Sequence, residues 1–224
     1  MTTEGSAERG GAASGEEDVL NVAAIIPRTE AEGPGVRFAI WVQGCPMRCK
    51  GCCNPEMLQF TPREAIPAED LIERACEAGV EGVSFLGGEP FAQARGLARV
   101  AEGVRARGLT VMIFSGFTLD ELRARAREEE GVRRLLAATD LLVDGRYEAS
   151  ARTLTRRWIG SRNQVLHLLS ARYSEDDPRF REQNQVELRL KDGVLTVNGW
   201  PRFGARRRLD GARGEARGEE RGDD

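Results

Sequence analysis

Four times in the middle of the chain, a short apolar run stops abruptly at a turn. Arg37-Phe38-Ala39-Ile40-Trp41-Val42 runs into a cysteine-rich loop, and Gly82-Val83-Ser84-Phe85-Leu86 into Gly87-Gly88-Glu89-Pro90. Leu109 to Phe114 ends at Ser115-Gly116, and Asp140-Leu141-Leu142-Val143 at Asp144-Gly145. Runs of this length bounded by turn residues read as buried strands. Helical periodicity lies between them. After Pro67, expected at a first helical position, Leu71, Ile72, Ala75 and Cys76 share one face, which makes Cys76 a small core residue. Leu97, Val100, Ala101 and Val104 share another, closed by Gly108. Thr118-Leu119-Asp120-Glu121 is a capping box that opens a third helix, expected to break at Gly131 before Val132–Leu136. Alternating strands and helices predict an α/β fold with a parallel sheet and right-handed crossovers. Ligands of such sheets collect at the carboxyl ends of the strands, so one mouth should gather all four turns.

The chain has 224 residues, of which 40% are hydrophobic, enough for one domain with a real core. The expected domain spans 19–204. The Gly/Ala/Glu-rich stretch 1–18 and the charged stretch 205–224 bury too little to offset their ordering entropy and read as disordered tails. Within the domain, Gln185 to Leu190, Asp192-Gly193 and Val194 to Val197 read as a C-terminal hairpin over 185–198, packed on the core as an appendage. A formal charge of -3 argues against nucleic acid as a partner. No stretch is long and apolar enough to span a membrane, and the amino terminus is no secretion signal. Five cysteines, odd in number and mostly clustered, suit reduced ligands in a cytoplasmic protein better than disulfides.

Four of those cysteines fall in nine residues, Cys45-Pro46-Met47-Arg48-Cys49-Lys50-Gly51-Cys52-Cys53. Cys45, Cys49 and Cys52 have the spacing Cys-x3-Cys-x2-Cys. Three thiolates can hold three irons of a four-iron cluster and leave the fourth open, whereas clusters that only carry electrons normally take four cysteines. Structural zinc is the alternative. Its fourth ligand would have to be Cys53, which adjoins Cys52, or His167, the only histidine, distant in sequence and in an apolar stretch. A zinc knuckle has no reason to sit at the ligand mouth of a parallel sheet.

Taken in order, Gly33-Pro34-Gly35, the cysteine loop with Gly51 and Asn54, Gly87-Gly88-Glu89-Pro90, Ser115 to Leu122, Leu142-Val143-Asp144-Gly145 and Trp158 to Gln164 resemble the radical S-adenosylmethionine (radical SAM) superfamily. Within it they are similar to the activating enzymes of anaerobic ribonucleotide reductase, a glycyl-radical enzyme. The likeness runs from about Gly33 to Leu169. Cys53 stands where that branch often has an aromatic residue, and the hairpin lies beyond the branch's usual end.

The resemblance implies a partial, incomplete β/α barrel with a 4Fe-4S cluster and S-adenosyl-L-methionine as cofactors. It makes Cys45, Cys49 and Cys52 the cluster ligands. Gly87 and Gly88 would let backbone approach the cofactor's amino group, and Glu89 would accept a hydrogen bond from it. Gly51, Cys52 and Cys53 would offer backbone contacts to the adenosyl part. Ser115 would bond ribose or carboxylate, with turn capping as the alternative. Arg146 would pair with the methionyl carboxylate and Asp144 would orient a cation or a ribose hydroxyl, with a surface ion pair or turn role as the alternative. Trp158 to Gln164 reads as a loop closing over cofactor or partner, or else as packing of Trp158 under the sheet.

The implied function is reductive cleavage of S-adenosylmethionine and removal of a glycine hydrogen from a partner, most directly anaerobic ribonucleoside-triphosphate reductase, with electrons from a flavodoxin- or ferredoxin-type donor. Two readings stand beside it. One is a radical enzyme acting on another peptide or a small metabolite. The other, of a different class, is a non-catalytic iron–sulfur or zinc module.

Overall fold

The computed structural model describes residues 18–191 and 193–199, so the expected tails fall outside the described residues, Asp18 excepted. The elements are β1 (Val19–Thr29), β2 (Arg37–Val42), β3 (Glu64–Pro67), α1 (Ala68–Glu77), β4 (Gly82–Gly87), α2 (Ala94–Ala106), β5 (Thr110–Phe114), α3 (Leu119–Arg125), α4 (Glu130–Ala137), β6 (Leu141–Asp144), β7 (Val165–Leu168), β8 (Val186–Lys191) and β9 (Val194–Gly199). Seven strands form one open sheet in the order β3-β1-β2-β4-β5-β6-β7, and β8-β9 pair separately.

The centre of the sheet, β2-β4-β5-β6, is parallel, as the alternation of strands and helices predicts. Both flanks are antiparallel: β1 pairs with β2 and β3, and β7 pairs with β6. Sequence patterning finds neither β1 nor β7. Along β1 burial does not alternate cleanly, and β7 is only four residues long and half-buried throughout most of its length.

Alternate strand residues build the two faces. Phe38, Ile40, Val42, Val83, Phe85, Val111, Ile113 and Leu142 point into the layer made by α1 to α4. Each such fully buried side chain contributes about 1.5–3 kcal/mol of transfer energy. Leu97, Val100, Ala101 and Val104 of α2 meet them as the periodicity requires, and the capping box at Thr118 and Glu121 opens α3.

Gly131 does not break a helix. The break comes earlier, between Arg125 and Glu130, and Gly131 sits within α4. A Cβ there would come within 2.9 Å of the Arg95 backbone nitrogen, so the glycine lets α4 lie close on α2. Pro67 likewise precedes its helix, closing β3 and standing as the N-cap of α1.

Trp41, Met57 and Leu86 cover part of the opposite face. Met112, Leu141, Val143, Trp158 and Ile159 cover another part. Trp158 is therefore packed under the sheet. Its φ of +59°, unusual for a bulky residue, costs about 1–2 kcal/mol. Burial against β5 and β6, an edge contact with Phe180 and a guanidinium from Arg157 4.4 Å over its ring offset that strain.

The hairpin docks by its polar side. Glu187 accepts from the Glu30 backbone and Asn198 donates to Thr29, while Val186, Leu188 and Leu190 face solvent. Among the described residues no helix is long and apolar enough to cross a membrane.

Candidate cluster and cofactor site

Register brings the four turns to one level. Val42 stands opposite Gly87 across β2-β4, Phe85 opposite Ile113 across β4-β5, and Phe114 opposite Val143 across β5-β6. The cysteine loop, Gly87-Gly88, Ser115-Gly116 and Asp144-Gly145 therefore leave the sheet side by side.

The cysteine loop lies across the other three. The Gly88 amide donates to the Val42 carbonyl at 2.8 Å, and that of Glu89 to the Gly44 carbonyl at 2.9 Å. A Cβ on Gly88 would overlap the Gly44 carbonyl oxygen and come within 2.7 Å of its carbon. Gly87 has φ +104°, a conformation costly for other residues, and its α-carbon faces the Val42 backbone. In this structure the two glycines seat the start of the cysteine loop. Farther along, Met47 covers Gly116, and Gly51 lies against Tyr147 and Ala149.

Within the loop, Cys45 is buried, Cys49 and Cys52 are half-buried and Cys53 is exposed. Backbone N–H groups of Met47 and Arg48 donate to the Cys45 sulfur, and that of Asn54 to the Cys52 sulfur at 3.4 Å. Burial pushes the Cys45 thiol up, against those donors. The Cys52 thiol is lowered to about 6, chiefly by a hydrogen bond with the Cys53 thiol, and Cys53 is raised by the same bond. Among the described residues no three Cys, His, Asp or Glu side chains converge as ligands of a single ion. A cluster has a different demand, because each thiolate takes its own iron and hydrogen bonds to sulfur tune it. Three thiols of the right spacing, two already facing N–H donors, fit that group.

Glu89 is the polar hub beneath the loop. It is buried, with Oε1 accepting from the Phe91 amide (2.9 Å) and the Ser115 hydroxyl (2.9 Å), and Oε2 from the Gly116 amide (2.7 Å). Ser115 in turn accepts from the Phe117 amide at 3.0 Å. Glu89 and Ser115 thus tie the turn after β4 to the turn after β5. Burial raises the Glu89 carboxyl to about 7 from an ordinary 4.5. The unfolded chain releases this proton near pH 4.5 and the folded protein holds it to about 7, so stability falls as pH rises through that window. The loss is of order 3 kcal/mol. Glu89→Gln is expected to abolish this slope, as measured by urea unfolding at pH 5 and pH 8; an unchanged slope would assign it to another group.

Asp144 and Arg146 face away from the other groups. Asp144 Oδ2 accepts from the Leu119 amide at the start of α3 (2.7 Å) and stands 2.9 Å from His167 Nε2, in the helix layer. His167 pairs across the sheet with Leu142, which shares that face. Arg146 is exposed and pairs with Glu121 of the capping box at 3.1 Å. Segment 158–164 braces the turn after β6. Gln164 accepts from the Gly160 and Ser161 amides and donates to the Gly145 carbonyl, and Asn163 donates to the Arg146 carbonyl.

Gln43 is a site-building residue that patterning misses. It is buried just before the loop and donates to the Glu56 and Gln59 carbonyls, holding the chain that returns from the cysteines. A glutamine directly after a fully buried strand was its only signal.

A family model of the 4Fe-4S single cluster domain matches residues 31–167, from the turn before β2 to β7. The chain belongs to this 4Fe-4S family. The anaerobic ribonucleoside-triphosphate reductase-activating protein of Escherichia coli is 26% identical over 159 residues, which cover 67% of this chain and 99% of that protein. The protein of the same name from Vibrio cholerae is 28% identical over 157 residues, 66% of this chain and 97% of the relative. A putative glycyl-radical enzyme activating enzyme of Haemophilus influenzae is 36% identical over 98 residues, 42% of this chain and 37% of that one. The radical SAM reading of the motifs agrees with these relatives. This member of the 4Fe-4S family is accordingly an enzyme whose cofactors are a 4Fe-4S cluster and S-adenosyl-L-methionine.

Proposed function

We propose that the protein is a glycyl-radical-enzyme activase whose partner is anaerobic ribonucleoside-triphosphate reductase or a close functional counterpart. One observation carries this reading: the loop with Cys45, Cys49 and Cys52 lies across the carboxyl ends of four parallel strands, seated on Gly88, Gly116 and Tyr147. The open sheet reads as an incomplete barrel. A short barrel leaves a side open wide enough for a partner's loop, where enzymes of small molecules need more chain to enclose them. The near-complete coverage of reductase-activating relatives supports the same partner class.

Cys45, Cys49 and Cys52 would hold the cluster, with the N–H groups of Met47 and Arg48 stabilising negative charge on Cys45 and that of Asn54 on Cys52. When bound, the cluster and S-adenosylmethionine supply one-electron cleavage of the sulfonium and a 5′-deoxyadenosyl radical able to take a glycine Cα hydrogen. The chain's part is to position. Gly87 and Gly88 keep the β4 turn low enough for the loop to rest on it. Glu89 holds the β4 and β5 turns at a fixed separation, and the cofactor's amino group would meet it at the same rim. Gly51 lies against Tyr147, and the backbone of Gly51, Cys52 and Cys53 would meet the adenosyl part.

The electron would come from a flavodoxin- or ferredoxin-type protein. Anaerobically reconstituted protein given reductant and S-adenosylmethionine should release 5′-deoxyadenosine. With its glycyl-radical partner added, it should produce a glycine-centred doublet in electron paramagnetic resonance. Cofactor cleavage without a doublet on any glycyl-radical candidate would turn the assignment toward another peptide or a metabolite.

A further inference from the structure

Cys53 carries the one thiol of the loop that the radical chemistry leaves unused. Cys45, Cys49 and Cys52 complete the three-cysteine spacing, and Cys53 offers the adenosyl part only its backbone. Its side chain nevertheless has a fixed partner, because the Cys52 and Cys53 thiols are hydrogen-bonded to each other. Cys52 is held in place by its neighbours. Its sulfur accepts from the Asn54 amide at 3.4 Å, and its own amide donates to the Cys49 carbonyl at 3.2 Å. Asn54 in turn donates to the Gly87 carbonyl at 3.4 Å, which ties this end of the loop to the β4 turn. Cys45 is set apart: it is buried, and its sulfur faces the N–H groups of Met47 and Arg48. Cys53 is exposed and Cys52 half-buried, so a small oxidant in solvent reaches the pair.

We infer that Cys52 and Cys53 are a redox modification site: without a cluster they close into a reversible vicinal disulfide that spares Cys52 from irreversible oxidation. The protective role rests on the reading of Cys52 as a cluster ligand. The oxidant is a peroxide. Its O–O bond breaks as one oxygen passes to the Cys52 sulfur, which leaves a sulfenic acid and one water. The Cys53 sulfur then bonds to the Cys52 sulfur, the S–O bond breaks, and that oxygen departs with the Cys53 proton as a second water. The two thiols lose two electrons and the peroxide gains them. A sulfenic acid with no thiol beside it passes on to the sulfinic and sulfonic acids, which thiol reductants do not reverse. Neighbouring α-carbons stand about 3.8 Å apart across a trans peptide, closer than the usual disulfide range. A bond formed there is strained and easily reduced, which suits one that must open before iron can return.

The test treats the reconstituted full chain with hydrogen peroxide and an iron chelator, caps free thiols with N-ethylmaleimide and digests with trypsin. Cleavage after Lys50 and Arg63 isolates residues 51–63, in which Cys52 and Cys53 are the only cysteines. By mass spectrometry this peptide is expected to be lighter by two hydrogens and uncapped, and to take two maleimides once dithiothreitol has opened the bond. In Cys53→Ser the same peptide should carry a sulfinic acid on Cys52 about 5-fold more often, unchanged by dithiothreitol. Measured against its own never-oxidised sample, that variant should regain about 3-fold less iron than the unaltered protein after reduction and a second reconstitution. A peptide joined through Cys52 to Cys45 or Cys49, or one with both thiols open to maleimide, would overturn the inference and leave the cluster reading intact. Equal sulfinic acid in variant and unaltered protein would overturn the protective role. Failure of the never-oxidised protein to bind iron would overturn the reading of Cys52 as a ligand, and the protective role with it.

Discussion

Cys49→Ala is expected to lose its iron and its cofactor cleavage together. Cys45, Cys49 and Cys52 are the three thiols spaced for the cluster, and a loop with two of them leaves one more iron without a protein ligand. Cys53 is adjacent to Cys52 and spends its thiol on it, so it is not placed to substitute for Cys49, four positions away. After anaerobic reconstitution, iron should fall from roughly four per chain toward background. Release of 5′-deoxyadenosine should fall to the level of the protein-free blank. The fold should persist, because Cys49 is only half-buried and lies outside the apolar clusters. Full cleavage by this variant would mean that the ligand assignment is wrong.

Gly88→Ala should damage the site from beneath without touching a ligand. Its methyl group would occupy the space of the Gly44 carbonyl, against Gly44 backbone with no flexible side chain to yield. The bond from the Glu89 amide to that carbonyl would have to break, separating the β4 turn from the start of the cysteine loop. Overpacking of this kind costs about 1–3 kcal/mol or more. Gly108→Ala is the fitting control. It also meets backbone strain, at φ +89°, but a Cβ there has nothing within 4 Å and the site is remote from the loop. Both variants should unfold at lower urea concentration, while only Gly88→Ala should take up less iron. Equal iron in the two would show that the cluster does not depend on this contact.

The candidate site was legible in the sequence as far as strand ends reach. Each of the four turns follows an apolar run directly, and parallel pairing then obliges the turns to share a rim. The direction in which individual side chains point was less legible. Asp144 and Arg146 lie two residues apart, yet one is buried beside His167 and the other is paired with Glu121 on the surface. Asp144 belongs to the face of Leu142, and in a strand a change of one position exchanges sheet faces. Ser115 shows the same limit: its hydroxyl reads equally as a ligand group or a turn cap until Glu89 and the Phe117 amide are found beside it.

Local chemistry written along the chain determined the central strands, the capping box at Thr118 and Glu121, the inner faces of α1 and α2, and the three-thiol spacing of the loop. These depend on neighbours within a few positions, so periodicity and turn residues carry them. Tertiary structure alone decided that β1 and β7 flank the sheet antiparallel, that Gly131 serves helix packing, and that Gly88 serves the cysteine loop. Those outcomes come from segments distant in sequence meeting at van der Waals range, where the shape of each depends on the other and neither stretch carries the information by itself.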